Sequence, residues 1–280
     1  MVEPPAVRTV VRETPCRTIL NRSGISDYSL NCYTGCAHAC VYCYARFMQR
    51  FHPHDEPWGE FVDVKTNAVE VLARQLRRAQ PGSVFVSSAC DGWQPEEARR
   101  QLTRECCRLL VAHNFQVNVL TKSALVVRDL DLLSGTTARV GVTVTTLDER
   151  LQRLWEPACA PLERRWGVLT QARQAGLKTS VMFGPVLPFF SDSREALLAM
   201  LTCAGDLGVD SIWVDQLNPR PRVWPAVQEL LRREFPDLVW PYRKVLFEES
   251  SRQAYIAQLR RRVRAAAEKL KLSDRVSGCT

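Results

Sequence analysis

Apolar and polar positions alternate with two different periods along most of the chain, and this predicts strands followed by helices. Runs with a two-residue period or a continuous β-branched character predict strands, and apolar residues three and four positions apart predict helices. The predicted strands lie near 26–30 and over 83–88, 115–122, 138–146, 177–187 and 210–217. The predicted helices cover 67–80, 96–113, 123–135, 161–176, 193–208, 224–235 and 248–272.

Strands that alternate with helices of ten or more residues predict parallel β-α-β crossovers. Six such units can be counted, whereas a closed (β/α)8 barrel needs eight. The predicted fold class is therefore α/β, a partial, open (β/α)6 barrel with a C-terminal helical extension, and a doubly wound parallel sheet is the alternative. We expect an irregular basic lead-in over 1–24, the barrel over 25–235 and the extension over 236–280.

An excess of positive charge changes the picture of possible partners. The chain has 38 Lys and Arg against 30 Asp and Glu, a formal net charge of +8. Such a balance favours an anionic partner such as nucleic acid or a phosphorylated cofactor, although solvated helix faces are the ordinary alternative. The sequence has neither an apolar run of about 18 residues nor a secretory-type N-terminal stretch, so we expect a cytoplasmic protein without a membrane span.

A dense group of cysteines is the main candidate for chemistry. Cys36, Cys40 and Cys43 are spaced C-x3-C-x2-C, and Cys32 lies just before them. In a reducing compartment, a group this tight is more often metal-binding or catalytic than disulfide-bonded. Three thiolates on one loop can hold three irons of a cubane cluster whose fourth iron takes a non-protein ligand.

A structural zinc site is the competing interpretation. Such sites usually combine two C-x2-4-C pairs that are separated by a dozen or more residues. Here the candidate cysteines lie in one short loop, and the nearby His38, His52 and His54 have no familiar zinc spacing. The pattern therefore favours an iron–sulfur cluster.

The segment NCYTGCAHACVYCYARF, with Tyr42 before the last cysteine, resembles the signature of the radical S-adenosylmethionine (SAM) superfamily, in particular its spore photoproduct lyase-like branch. VLTKSALVVRDLDLL and TLDERLQRLWEPACAPLERR also resemble that branch, and the likeness spans roughly 30–187. The resemblance implies a partial (β/α)6 barrel and a [4Fe–4S] cluster on Cys36, Cys40 and Cys43. It also implies S-adenosyl-L-methionine at the open iron, cleavage to a 5′-deoxyadenosyl radical, and an electron donor such as flavodoxin or ferredoxin.

The resemblance also implies residues that bind the cofactor, with Tyr42 among them. Lys122 is expected to meet the carboxylate of S-adenosylmethionine, as a cation pairs with a carboxylate. Thr143 and Thr145 are expected along its ribose or methionine part. Arg165 is expected at its polar end, with the adjacent Arg164 as the competing choice.

The same resemblance predicts roles for a few further residues, and this chain departs from the family pattern at some of them. Cys90 and Tyr44 are catalytic candidates for hydrogen transfer, although Cys90 falls about two places late in the alignment and packing is its alternative role. Cys32 stands where the branch usually has proline, and we expect a small buried thiol or a residue near the cluster. Glu156 and Pro157 match an E-P pair that shapes the loop.

The sequence leaves three hypotheses for function. The first is a radical enzyme on nucleic acid, in DNA repair or RNA modification. It is favoured by the charge and the basic terminal helix, and the rings of Trp93, Trp224 and Trp240 are candidates to stack on bases. The second is a radical enzyme on a peptide or small molecule. The third is a zinc-stabilised binding protein without catalysis. Fold and family alone do not transfer a substrate.

Overall fold

The computed structural model of the protein describes residues 9–220 and 222–278, and strands and helices alternate along most of them. The strands are β1 (Val10–Thr14), β2 (Leu20–Arg22), β3 (Tyr28–Leu30), β4 (Tyr33–Thr34), β5 (Phe61–Lys65), β6 (Ser83–Val86), β7 (Gln116–Thr121), β8 (Arg139–Val144), β9 (Lys178–Val186), β10 (Ser211–Gln216) and β11 (Val276–Gly278). The helices are α1 (Ala68–Leu76), α2 (Pro95–Arg100), α3 (Leu102–Ala112), α4 (Leu130–Leu133), α5 (Glu149–Trp155), α6 (Leu162–Gln174), α7 (Arg194–Asp206), α8 (Val223–Glu234), α9 (Val239–Phe247) and α10 (Glu249–Lys269). Short 3-10 helices cover Tyr44–Arg50, Ala124–Asp129 and Pro236–Leu238.

Within the described residues, eight strands form one sheet in the order β2-β3-β6-β7-β8-β9-β10-β11. Neighbours from β3 to β11 are parallel, and β2 is antiparallel to β3. The strands from β3 to β10 follow one another in chain order, without the reversal of order that defines a doubly wound sheet. The predicted α/β class with a parallel sheet is confirmed, and the doubly wound alternative is wrong for this part of the chain.

The centre of the sheet is buried on both faces. In β8, Val140, Val142 and Val144 have no exposed surface. Parallel strands that are buried on both faces read as near-continuous apolar runs, and 138–146 is such a run. A Cβ atom at Gly141 would lie 2.4 Å from Ser180 Oγ on the neighbouring strand, so β8 and β9 are closely packed.

The segment expected to be an irregular lead-in contains two strands. β1 pairs with β5, with Val10 opposite Phe61, and β2 pairs with β3, with Leu20 opposite Leu30. Residues 1–8 lie outside the described range. Most of the β1 side chains are partly or fully exposed, so main-chain hydrogen bonds define this strand rather than an apolar pattern.

The helix predicted over 96–113 is divided at Gln101. Gln101 has a left-handed backbone, with φ of 53°, and separates α2 from α3. The buried carboxylate of Glu97 accepts hydrogen bonds from the main-chain nitrogens of Thr103 and Arg104, both at 3.0 Å. Glu97 therefore satisfies the free amides at the start of α3, and a new helix begins there.

The C-terminal extension is largely helical, as predicted. α10 lies within the expected helix over 248–272 and buries Leu259, Val263 and Ala266 against the main core. α9 and β11 were not predicted, and β11 adds an edge strand with Val276 opposite Ile212. Among the described residues, none of the helices is long and apolar enough to cross a bilayer.

A second, three-stranded sheet is formed in the described chain by β1, β5 and β4 and lies against the cysteine-rich segment. Gly35 follows β4 with φ of +81°, a region that favours glycine. A Cβ atom at this position would lie 2.4 Å from the Phe61 carbonyl oxygen on β5. Glycine before Cys36 is therefore required by both the backbone conformation and the contact.

We expect Gly35→Ala to lower the free energy of unfolding by about 2–4 kcal/mol, because left-handed strain and overpacking add. Urea denaturation measures this change. Gly24→Ala is the matched control, since a Cβ there meets no atom within 4 Å. Equal stability of the two variants would contradict the contact between Gly35 and β5.

Candidate active site

The cysteine loop, residues 31–43, follows β3 at the carboxyl edge of the parallel strands. Parallel α/β folds place their reactive groups at this edge. Cys36 and Cys40 are buried, with 7% and 6% exposure, and Cys43 is partly buried. The structure therefore brings the three predicted ligands to the expected edge on one loop.

Neighbouring loops hold the cysteine loop in place through its main chain. The side chain of Gln94 accepts a hydrogen bond from the Ala37 nitrogen at 2.9 Å and donates to the Gly35 oxygen at 3.3 Å. The Val41 nitrogen donates to the Trp155 oxygen at 2.9 Å. Gln94 has no exposed surface, and sequence reasoning missed it because its partners are main-chain atoms of a distant segment.

His38 belongs to an ion pair within the site. Its Nδ1 lies 3.3 Å from Asp91 Oδ2, and Asp91 also accepts hydrogen bonds from Thr121 Oγ1 and the Lys122 nitrogen. Burial opposes the charge of His38, but the carboxylate of Asp91 and the adjacent Cys36 raise the pKa of His38 above its ordinary value. The ion pair therefore ties the cysteine loop to the ends of β6 and β7.

Glu156 is a second buried junction. Its carboxylate accepts hydrogen bonds from Tyr42 Oη and, at 2.8 Å, from Thr145 Oγ1, and Arg165 Nη2 lies 2.5 Å away. Burial alone would raise the pKa of Glu156, but the charges of Arg165 and Lys122 outweigh it and the pKa is lowered. Burial and the Glu156 charge raise the pKa of Tyr42, so its phenol remains a donor.

Arg165 is fully buried, whereas Arg164 is exposed. Besides its pairing with Glu156, its Nε donates to the Ala160 oxygen at 2.8 Å and its Nη1 to the Thr143 oxygen at 2.9 Å. The guanidinium is thus engaged on three sides by the protein. The described contacts of Arg165 are with protein atoms, and its contact with the polar end of the cofactor stays a prediction.

Lys122 lies close to the cysteine loop. Its Nζ is 5.6 Å from the centre of the Tyr42 ring. Burial would lower the pKa of Lys122, but the negative charges of Cys40, Glu156 and Cys159 outweigh it and raise the pKa, so the ammonium form persists. A cation beside the predicted ligands is suited to receive an anionic group.

Cys159 is a neighbour of Cys40 that sequence reasoning missed. The two Sγ atoms are 3.5 Å apart, although 119 positions separate the residues. This hydrogen bond, together with the charge of Lys122, lowers the pKa of Cys40 to about 7. Burial and the charges of Cys40 and Cys36 raise the pKa of Cys43 to about 12. Cys159 lies two positions after Pro157 of the E-P pair, and that proximity was the available signal.

Cys90 and Tyr44 converge on the segment after β6. Tyr44 Oη donates to the Ser88 oxygen, and its ring is 46% exposed. Cys90 is partly buried, with its Sγ 3.7 Å from Asn31 Oδ1. Arg220, which follows β10, lies 5.9 Å from the Tyr44 ring. Tyr44 and Cys90 therefore both contact or belong to the segment that follows β6, and Arg220 lies on the Tyr44 ring.

His54 and Cys32, which lie near the predicted ligands in the sequence, have other partners in the structure. Among the described residues, no group of three His, Cys, Asp or Glu side chains is arranged to hold a single metal ion. His54 is engaged by Asp63 at 2.9 Å and stacks on Phe61 with the ring centres 3.7 Å apart. Cys32 is buried in the core with its Sγ 3.7 Å from Cys106 Sγ, as expected for a small packed thiol.

Glu156→Gln is expected to lower the free energy of unfolding by about 3–5 kcal/mol, because it leaves the buried Arg165 guanidinium without its counter-charge. Chemical denaturation measures the change. Glu149→Gln is the matched control, since Glu149 pairs with Arg153 at 3.3 Å on an exposed helix face. That surface pair contributes about 0–1 kcal/mol. A loss for Glu156→Gln no larger than for the control would show that the buried pair is dispensable.

Comparison with known proteins places this arrangement in a family. The family model of the Radical SAM superfamily matches residues 30–201. An uncharacterized protein of Mycobacterium tuberculosis is 33% identical over 250 residues, which cover 83% of this chain and 72% of that relative. An uncharacterized protein of Methanocaldococcus jannaschii is 32% identical over 168 residues, which cover 60% of this chain and 63% of that relative.

Solved structures share the fold at low sequence identity. A mutant of spore photoproduct lyase with bound AdoMet and dinucleoside spore photoproduct has a TM-score of 0.71 at 13% identity, covering 96% of this chain and 82% of that chain. The radical S-adenosylmethionine methyltransferase TsrM from Kitasatospora setae, with cobalamin and a [4Fe-4S] cluster bound, has a TM-score of 0.53 at 15% identity. That match covers 73% of this chain and 36% of TsrM.

Proposed function

This chain belongs to the radical SAM superfamily and is an enzyme of radical chemistry, and from that premise we propose that it cleaves S-adenosyl-L-methionine to act on nucleic acid. The observation that carries the proposal is the single loop with Cys36, Cys40 and Cys43 beside the cationic Lys122. We also infer that the parallel strands from β3 to β10 form the open, partial (β/α)6 barrel expected for this family.

The donor set fits an iron–sulfur cluster. Thiolates select such clusters, and three ligands leave one iron for a small molecule. Cys36, Cys40 and Cys43 would hold the [4Fe–4S] cluster, and the low pKa of Cys40 favours its thiolate form. When bound and reduced, by a donor such as flavodoxin or ferredoxin, the cluster supplies the electron that cleaves S-adenosylmethionine and generates a radical able to abstract hydrogen.

The surrounding residues bind and orient the cosubstrate. Lys122 would pair with its carboxylate, since a partly buried ammonium makes a strong charge-assisted hydrogen bond. Thr143 and Thr145, at the carboxyl end of β8, would line its ribose or methionine part together with the Tyr42 ring. Arg165 is a positioning residue, because its guanidinium holds the Thr143 oxygen and the Glu156 carboxylate.

Tyr44 and Cys90 remain our candidates for hydrogen transfer at the substrate side. Both lie next to the segment after β6, and burial raises the pKa of Cys90 above its ordinary value, so its thiol keeps its hydrogen. Spore photoproduct lyase, whose fold this chain shares, has been solved with a dinucleoside bound. That relationship and the net charge of +8 support a nucleic-acid substrate.

The proposal predicts 5′-deoxyadenosine from anaerobically reconstituted, dithionite-reduced protein with S-adenosylmethionine, because the three loop cysteines assemble the cluster. Chromatography quantifies the product. The Cys36→Ala/Cys40→Ala/Cys43→Ala variant should form none above background, and Cys203→Ala, on α7, should retain wild-type turnover. Equal amounts of product from the triple variant and the wild type, or no product from either protein, would contradict the proposal.

Lys122→Ala is expected to raise KM for S-adenosylmethionine about 10–100-fold, because the variant loses one charge-assisted hydrogen bond to the cosubstrate. Iron content after reconstitution should stay unchanged, which separates cosubstrate binding from cluster assembly. Lys178→Ala is the matched control, because Lys178 is exposed at the opposite end of the sheet. An unchanged KM in Lys122→Ala would remove Lys122 from the cosubstrate site.

A further inference from the structure

A cavity of about 560 Å³ lies between α9, α10 and the segment that follows β9. Its lining includes Phe189, Lys244, Arg261, Arg262 and Asp192. Because the segment of Phe189 and Asp192 follows β9, the cavity opens at the same carboxyl edge of the sheet as the cysteine loop.

The cavity is cationic. Lys244 and Arg261 are exposed, and each directs a full positive charge to the surface. Arg262 is partly buried and is held by Asp192, with its Nη1 2.9 Å from the Asp192 oxygen and 3.7 Å from Oδ2. The one carboxylate of this lining is therefore paired, and the charges of Lys244 and Arg261 remain for an anionic ligand.

Exposed aromatic rings surround these charges. Phe189 is 47% exposed and Trp240 is 68% exposed, and Lys244 Nζ lies 5.4 Å from the centre of the Trp240 ring. Phe247, at the end of α9, is 48% exposed. Single-stranded nucleic acids bind to surfaces that combine cations with accessible aromatic rings. The phosphates contact the cations, and the bases stack on the rings.

A continuous set of aromatic contacts joins this surface to the active site. The Phe189 ring lies 5.7 Å from Tyr242, Tyr242 lies 6.1 Å from Trp155, and Trp155 lies 6.5 Å from Tyr42 of the cysteine loop. Arg220, over the Tyr44 ring, adds a further exposed cation at the site itself. Tyr242 and Trp155 have no exposed surface, so this set of contacts connects the surface and the site through the packed core.

We propose that the surface of Phe189, Trp240, Lys244 and Arg261 docks single-stranded nucleic acid. This inference rests on the proposed function, since it names how the same enzyme holds its nucleic-acid substrate. Phosphates lie on Lys244 and Arg261, and bases stack on Phe189 and Trp240. An acidic protein would use the cations but would leave the exposed rings unexplained.

Fluorescence anisotropy of the reconstituted full chain with a labelled oligodeoxythymidylate of about 20 nucleotides tests the proposal. Lys244→Ala/Arg261→Ala should weaken binding about tenfold or more and lower the slope of log Kd against log salt by about 2. Phe189→Ala should weaken binding without changing that slope. Arg77→Ala/Arg78→Ala, just after α1 and outside the cavity lining, should bind as the wild type does.

Equal binding by the wild type and Lys244→Ala/Arg261→Ala, or no binding by the wild type, would overturn the docking surface. Displacement of the oligonucleotide by polyglutamate as effectively as by unlabelled oligonucleotide would overturn it in favour of an acidic protein partner. Deoxyadenosine formation without substrate should be the same in Lys244→Ala/Arg261→Ala and the wild type. Failure of the surface therefore leaves that turnover intact, whereas failure of the radical chemistry abolishes it in every variant.

Discussion

The buried carboxylate of Glu156 is the junction on which the geometry of the site depends. The carboxylate accepts hydrogen bonds from Tyr42 of the cysteine loop and from Thr145 at the end of β8, and it forms an ion pair with Arg165 of α6. Each of these donors belongs to a different element, so one carboxylate fixes the loop relative to the sheet. A buried charge is tolerated only when it is paired and hydrogen-bonded. The network therefore constrains its members as a unit, and Lys122 adds the positive charge that faces the thiols.

A loop positioned in this way suits radical chemistry, which requires a reactive group held rigidly and shielded from water. Gln94 clamps the main chain of the cysteine loop, and the ion pair of His38 with Asp91 anchors its middle. The Ala158 nitrogen donates to the His38 oxygen at 3.4 Å, so the segment after Glu156 covers the loop from the other side. The protein thus supplies position and shielding, and the cofactor supplies the reactivity.

Much of the fold followed from the sequence because local periodicity encodes it. The strands β6 to β10 carry apolar runs that identify them, and the spacing of Cys36, Cys40 and Cys43 identifies the loop. The elements that were missed have no such local signal. β1 is mostly exposed, and β4 has two residues, so pairing with β5 defines both. Arg165 illustrates the limit for the site, because its inward pairing with Glu156 depends on tertiary contacts that spacing does not reveal.

Low-temperature EPR of the reconstituted and reduced protein, before and after addition of S-adenosylmethionine, tests the central claim most directly. If Cys36, Cys40 and Cys43 hold a cluster with an iron open to the cosubstrate, a [4Fe–4S] signal should be present and should change when S-adenosylmethionine binds. A signal that S-adenosylmethionine leaves unchanged, or a protein that binds zinc and gives no iron signal, would contradict the account.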